Sequence, residues 1–208
     1  MTADKVFTIL QTHVPPPALE YCFNLWKQSP FELKITRSRQ TKVGDFTSKH
    51  TKAHPRITLN NDLNPYLFLL TYVHEVAHLR VYLAHGARVD PHGEKWKTTF
   101  TDLTVPLLWE SVFPEEILHE LRRHMINPKA SSFADTDLTA AFRKFDKNAQ
   151  SMAVLSDIPE GSIFQLQGKF FIKGKLRRTR VLCKELKSKR DYLVPVDALV
   201  SNVQLSLL

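Results

Sequence analysis

Cysteine is nearly absent. Cys22 and Cys183 are the two in 208 residues. They are far apart and neither belongs to a CxxC pair, which excludes a disulfide framework and a cysteine zinc knuckle. Glycine is scarce at six residues, and none falls in a phosphate-cradling loop pattern. No apolar run reaches the roughly 18 residues of a membrane helix. The opening MTADKVFTIL lacks the basic-then-apolar order and small-residue cleavage site of a secretory leader, so the expected location is cytoplasmic. Fixed-period repeats and low-complexity tracts are also missing. What is present is ordinary globular composition, 43% hydrophobic and 24% charged, enough for one medium domain with a small appendage.

Acidic side chains are missing from one place in particular. Residues 169–190 hold ten Lys and Arg against the single acid Glu185, a local charge of +9 in a chain whose net charge is +8. Residues 1–168 sum to only +1. Basicity confined to one C-terminal segment points to a polyanionic partner such as DNA, against the plainer reading of a solvated face. Lys173, Lys175, Arg177, Arg178 and Arg180 are the candidate contacts.

The patterning predicts an α-rich body and a β-rich tail. Residues 3–28 read as two helices hinged at Pro15-Pro16-Pro17, with Phe23 and Trp26 on an apolar face. Strands are expected at 31–36, near Phe46 after a turn at Gly44, and at 55–60. A long, mostly buried helix runs from Pro65 to about Ala84, with Gly86 as its C-terminal cap. Further helices are expected from Pro91 to Leu103, from Pro114 to Met125 and from Asp137 to Asn148, with a linker at 127–133. The tail offers four short strands at 163–166, 169–172, 179–182 and 192–195. These suggest a small antiparallel sheet held by Ile163, Phe164, Leu166, Phe170, Phe171, Val181 and Leu193. The expected domains are 1–127, a linker and amphipathic helix at 128–150, and a small basic β domain at 151–208.

The buried helix carries His74-Glu75-Val76-Ala77-His78, an HExxH motif. Residues at i and i+4 share a helical face, so both imidazoles can reach one metal ion. Glu75 is one position round, where its carboxylate can contact a water on the metal without being a ligand. The alternative, two core histidines and a lone buried glutamate, leaves a carboxylate without compensation. Catalytic zinc takes three protein ligands and leaves one position open. His85 shares the face, but its backbone is roughly 13 Å along the axis from the midpoint of the first two. Glu94 and Glu110 are possible third ligands. His92 is the better candidate, because it follows a loop of suitable length and opens Pro91-His92-Gly93-Glu94-Lys95-Trp96.

HEVAH followed by PHGEKW resembles the SprT-like metalloproteases. Their signature is HExxH on one helix and a third histidine in an HG-x-x-[WF] element. The similarity covers about residues 15–125, including the segment Ile35–Phe46 upstream of the helix. It implies an α+β, minigluzincin-like domain in which a small twisted sheet lies beside the active-site helix. It also implies His74, His78 and His92 as ligands of one catalytic Zn2+ and Glu75 as general base. The implied activity is cleavage of proteins on, or crosslinked to, DNA. The tail is similar in outline to the zinc ribbon of bacterial SprT proteins, without its four cysteines. A second reading is a non-enzymatic zinc module that binds nucleic acid or a regulatory partner. Tyr72, Tyr82 and His85 are candidates for a second donor to the oxyanion.

Overall fold

The computed structural model describes residues 1–39, 42–50, 54–129, 135–146 and 152–204. It is mixed α+β and divides into two compact units, Met1–Asp146 and Lys147–Leu208. Among the described residues, no helix is long and apolar enough to cross a membrane.

The first unit begins with helices α1 (Ala3–His13) and α2 (Leu19–Gln28), joined by a 3-10 turn at Pro16–Ala18 where the three prolines forbid a continuous helix. Val6, Leu10, Cys22, Leu25 and Trp26 face the core, and Phe23 stacks half-buried on Trp26 at 5.8 Å. A three-stranded sheet follows, from β1 (Glu32–Thr36), β2 (Gly44–His50) and β3 (His54–Asn60). The strand order is β1-β3-β2, with β1 parallel and β2 antiparallel to β3. Alternation sends Leu33, Ile57 and Leu59 into the core. β2 is an outer strand of this sheet.

Helix α3 (Pro65–His85) packs against β2 and β3 and is buried on nearly every side. Two residues fix its ends. Gly86 closes it at φ 75°, donating its N–H to the Tyr82 carbonyl. Asn64, fully buried, caps its start by accepting the Leu67 N–H at 3.0 Å. The same side chain donates to the Phe142 carbonyl at 3.0 Å and to the Asp146 carboxylate at 2.7 Å. Asn64→Ala removes the cap and both bonds the amide donates, to the Phe142 carbonyl and the Asp146 carboxylate, so it should cost about 2 to 3 kcal/mol. Denaturant unfolding of the two proteins at equal slope measures this.

Helix α4 (Glu94–Thr104) starts later than the sequence pattern suggests. Asp90 accepts the His92 N–H on its side chain at 3.2 Å and the Gly93 N–H on its carbonyl at 3.2 Å. That turn takes Pro91, His92 and Gly93 out of the helix. Helices α5 (Glu115–Met125) and α6 (Thr136–Arg143) complete the unit. Leu138, Ala141 and Phe142 of α6 are buried in the same core as α3. The helix expected within 128–150 is thus part of the first unit. Its expected end at 147–148, and residues 130–133 of the expected linker, lie outside the described residues.

The second unit is a six-stranded antiparallel sheet. Its strands are β4 (Met152–Val154), β5 (Ile163–Leu166), β6 (Lys169–Arg177), β7 (Arg180–Glu185), β8 (Asp191–Pro195) and β9 (Leu199–Gln204), in the order β4-β9-β5-β6-β7-β8. The sequence pattern reveals four of the six. β4 has only three residues, and β9 breaks apolar alternation at Ser201-Asn202. Leu155, Phe164, Phe171, Val181, Cys183, Val194 and Val200 form the core. Ile163 and Leu166 are half-buried. Phe170 and Leu193, expected to hold the sheet, are 41% and 51% exposed. Adjacent strand residues point to opposite faces, so Phe170 and Phe171 cannot both enter one core.

Candidate metal centre

The 3.6-residue turn of α3 places His74 and His78 on one face, and their Nε2 atoms approach to 3.1 Å. The turn before α4 brings in the third ring. His92 Nε2 lies 3.1 Å from His78 Nε2 and 3.5 Å from His74 Nε2. Among the described residues, these three are the His, Cys, Asp or Glu group whose donor atoms converge closely enough to hold a metal ion. Trp96, fully buried in the first turn of α4, forms the wall behind them. Its ring centroid is 4.6 Å from His74, 5.4 Å from His78 and 4.8 Å from His92, and its other face stacks on Phe100 at 4.8 Å.

The electrostatics keep the lone pairs available. Burial, then the neighbouring His78 and His92, lowers the His74 pKa to about 3. Burial and His92 lower His78 to about 4. Burial lowers His92 as well, against the opposing pull of Asp90. Neutral imidazoles are the ligand form, so the rings are pre-set to bind a cation.

Glu75 projects from the adjacent position on α3 and is 6% exposed. Burial, reinforced by Asp45, raises its pKa to about 8, against the stabilising pull of the Phe46 N–H, Arg39 and Lys42. The Phe46 hydrogen bond follows from strand geometry. Val43 accepts the Asn60 N–H, so two-residue alternation leaves Phe46 facing Ile57 as a non-hydrogen-bonded pair. The Phe46 N–H then points off the sheet edge, where it donates to the Glu75 carboxylate. This approach requires glycine at 44. A Cβ there would meet Glu75 Oε1 and Thr71 Cγ2, each at 2.6 Å.

The other sequence candidates are placed elsewhere. His85 is exposed at the end of α3, 3.4 Å from Lys95 Nζ. Glu94 is exposed and faces Lys97 at 3.8 Å, and Glu110 is exposed in a turn. Tyr72 is fully buried with its hydroxyl donated to the Cys22 carbonyl at 3.0 Å, so it is a packing residue. Tyr82 lies one turn beyond His78, half-buried, with its ring 5.8 Å from Phe46.

Four of the five basic candidates cluster on the β6–β7 hairpin. Lys175, Arg177, Arg178 and Arg180 are all exposed there. Lys173 differs: its ammonium donates to the Ser156 carbonyl at 3.1 Å and the Ile158 carbonyl at 2.5 Å, so it braces the unit internally. Sequence reasoning missed the Phe46 backbone donor and the role of Gly44. A backbone N–H carries no residue-type signal, and the only clue was a glycine two positions before an apolar strand residue. No family model, curated protein or solved structure matches the chain.

Proposed function

We propose that the chain is a zinc-dependent endopeptidase of the SprT-like type, with a minigluzincin-like catalytic unit, acting on DNA-associated or DNA-crosslinked proteins. The observation that carries this reading is the spacing of the three Nε2 atoms, 3.1, 3.1 and 3.5 Å. Around a tetrahedral ion with Zn–N bonds of about 2.0–2.1 Å, ligand nitrogens stand roughly 3.3–3.4 Å apart. An all-imidazole donor set suits zinc among the transition metals, and three protein ligands are the number for a catalytic site. Zinc held there supplies Lewis acidity to a water and to the scissile carbonyl.

The chain's own groups supply the rest. His74, His78 and His92 would hold the ion, with Trp96 packed against all three rings. Glu75, in its ionised form, is the carboxylate placed to take a proton from that water and return it to the leaving amine. β2, as an outer strand whose Phe46 N–H is already held by Glu75, supports docking of an extended peptide along the rest of its edge by strand addition, which pairs backbone with backbone and tolerates varied sequences. The exposed basic hairpin of the second unit supports association with DNA. A purely structural zinc site would have no use for a buried glutamate beside it.

Metal removal tests the reading. Chelation should abolish cleavage of an unfolded protein substrate, and one equivalent of zinc should restore it. Cleavage that persists in rigorously metal-free protein would reject it.

A further inference from the structure

Strand alternation gives the second unit's sheet two unlike faces. Val181, Cys183 and Glu185 of β7 are buried, so Arg180, Leu182 and Lys184 share the opposite face. Register extends that face to the neighbouring strands. Leu193 stands opposite Leu182, Ile172 opposite Lys184, and Arg177 opposite Arg180. Phe170, two residues before Ile172, lies on the same side. The face therefore mixes exposed apolar groups with cations, and Asp191, opposite Lys184, is its one acid among the described residues.

Two features of this face work against the fold. Arg177 and Arg180 stand directly across from each other, an arrangement that like charges destabilise. Arg178, between them, takes φ 57° in a turn where glycine or asparagine is the easy choice. Nearby acids do not offset this: of the cations in 169–190, Lys169 is the one in an ion pair among the described residues, with Glu185 at 3.4 Å. Local conflicts of this kind mark surfaces kept for a partner.

We propose that this face binds single-stranded nucleic acid, with phosphates on Arg177, Arg180 and Lys184 and unstacked bases on Phe170, Leu182 and Leu193. This deepens the proposed association with DNA and is independent of the metal centre. The apolar groups decide the class of ligand. A duplex offers its phosphate backbone and keeps base faces stacked, so an exposed phenylalanine and leucine gain little from it. A single strand offers both phosphates and base faces. The charge sign excludes a basic partner surface, and the alternation of cation and apolar group along β7 suits a flexible strand.

The test is fluorescence anisotropy with the full chain, using a labelled oligothymidine and a mixed-sequence duplex of the same length. The single strand should bind more tightly, and its affinity should fall with salt at a log–log slope of about −2, the value for three neutralised phosphates. Arg180→Glu should remove binding to the single strand. Phe170→Ala should weaken it at least about fivefold, the loss of one stacked base, and Phe170→Tyr should restore it. Leu193→Ser, also at an exposed position, is the second apolar test. Equal or tighter binding of the duplex would overturn the proposal. So would unchanged single-strand affinity in both Phe170→Ala and Leu193→Ser. Glu75→Gln should leave this binding intact, so failure of the peptidase reading and failure of this one are separately visible.

Discussion

Glu75→Gln should retain stoichiometric zinc and lose cleavage by about two to four orders of magnitude, the usual contribution of a positioned general base. The substitution preserves size, and the amide oxygen can still accept the Phe46 N–H. What disappears is the ability to take a proton. The fold should tolerate the change, and the sign of its pH dependence is fixed. The folded carboxyl sits at about 8, above its ordinary value of 4.5. Between those values the unfolded chain has given up the proton and the folded chain still holds it. Metal-free wild type therefore loses stability as pH rises through that window. The glutamine protein, with no proton to lose, should melt at or above wild type at pH 8 once both are chelated. Metal analysis, a peptide-cleavage assay and thermal melts read the three consequences. Wild-type cleavage rates in the mutant would remove Glu75 from the mechanism.

Legibility in the sequence tracked how local each feature is. HExxH on α3 could be read because helical periodicity alone places positions 74 and 78 together. The sheet of the first unit can be read from the apolar alternation at Leu33 and at Ile57–Leu59, but its order cannot, because β1 pairs directly with β3, which follows β2 in the chain, and that is a long-range event. Loop length and a place before Trp96 mark His92 in the sequence. The Asp90 turn that carries it outside α4 is a competition between an Asx turn and helix propagation, and a hydrophobic pattern does not record that. In the second unit, hydrophobicity assigned Phe170 and Leu193 to the core. Two-residue alternation argued otherwise, because Phe171 had already taken the inward direction. Composition alone does not separate Lys173 from the surface cations, although its carbonyl partners at 156 and 158 hold it inside.

The converged imidazoles make the sharpest demand on the metal. His92→Ala should weaken zinc binding roughly 100- to 1,000-fold, one ligand's share of the binding free energy of a zinc site. His85→Ala should leave it unchanged, although both histidines are reachable from the same helix end. The difference lies in position: His92 Nε2 is 3.1 Å from its neighbour on His78, whereas His85 is turned outward to Lys95. His92 is half-buried in a turn, so truncating it empties little of the core and the protein should stay folded. His92→Cys gives a second check, because a thiolate is also a zinc ligand and should recover part of the affinity. Trp96 packs against all three rings, so its fluorescence should change on metal binding in wild type and in His85→Ala. In His92→Ala the same change should require far higher zinc. Undiminished zinc affinity in His92→Ala would mean that the third ligand comes from elsewhere, and the reading of the site as an open three-histidine centre would fail with it.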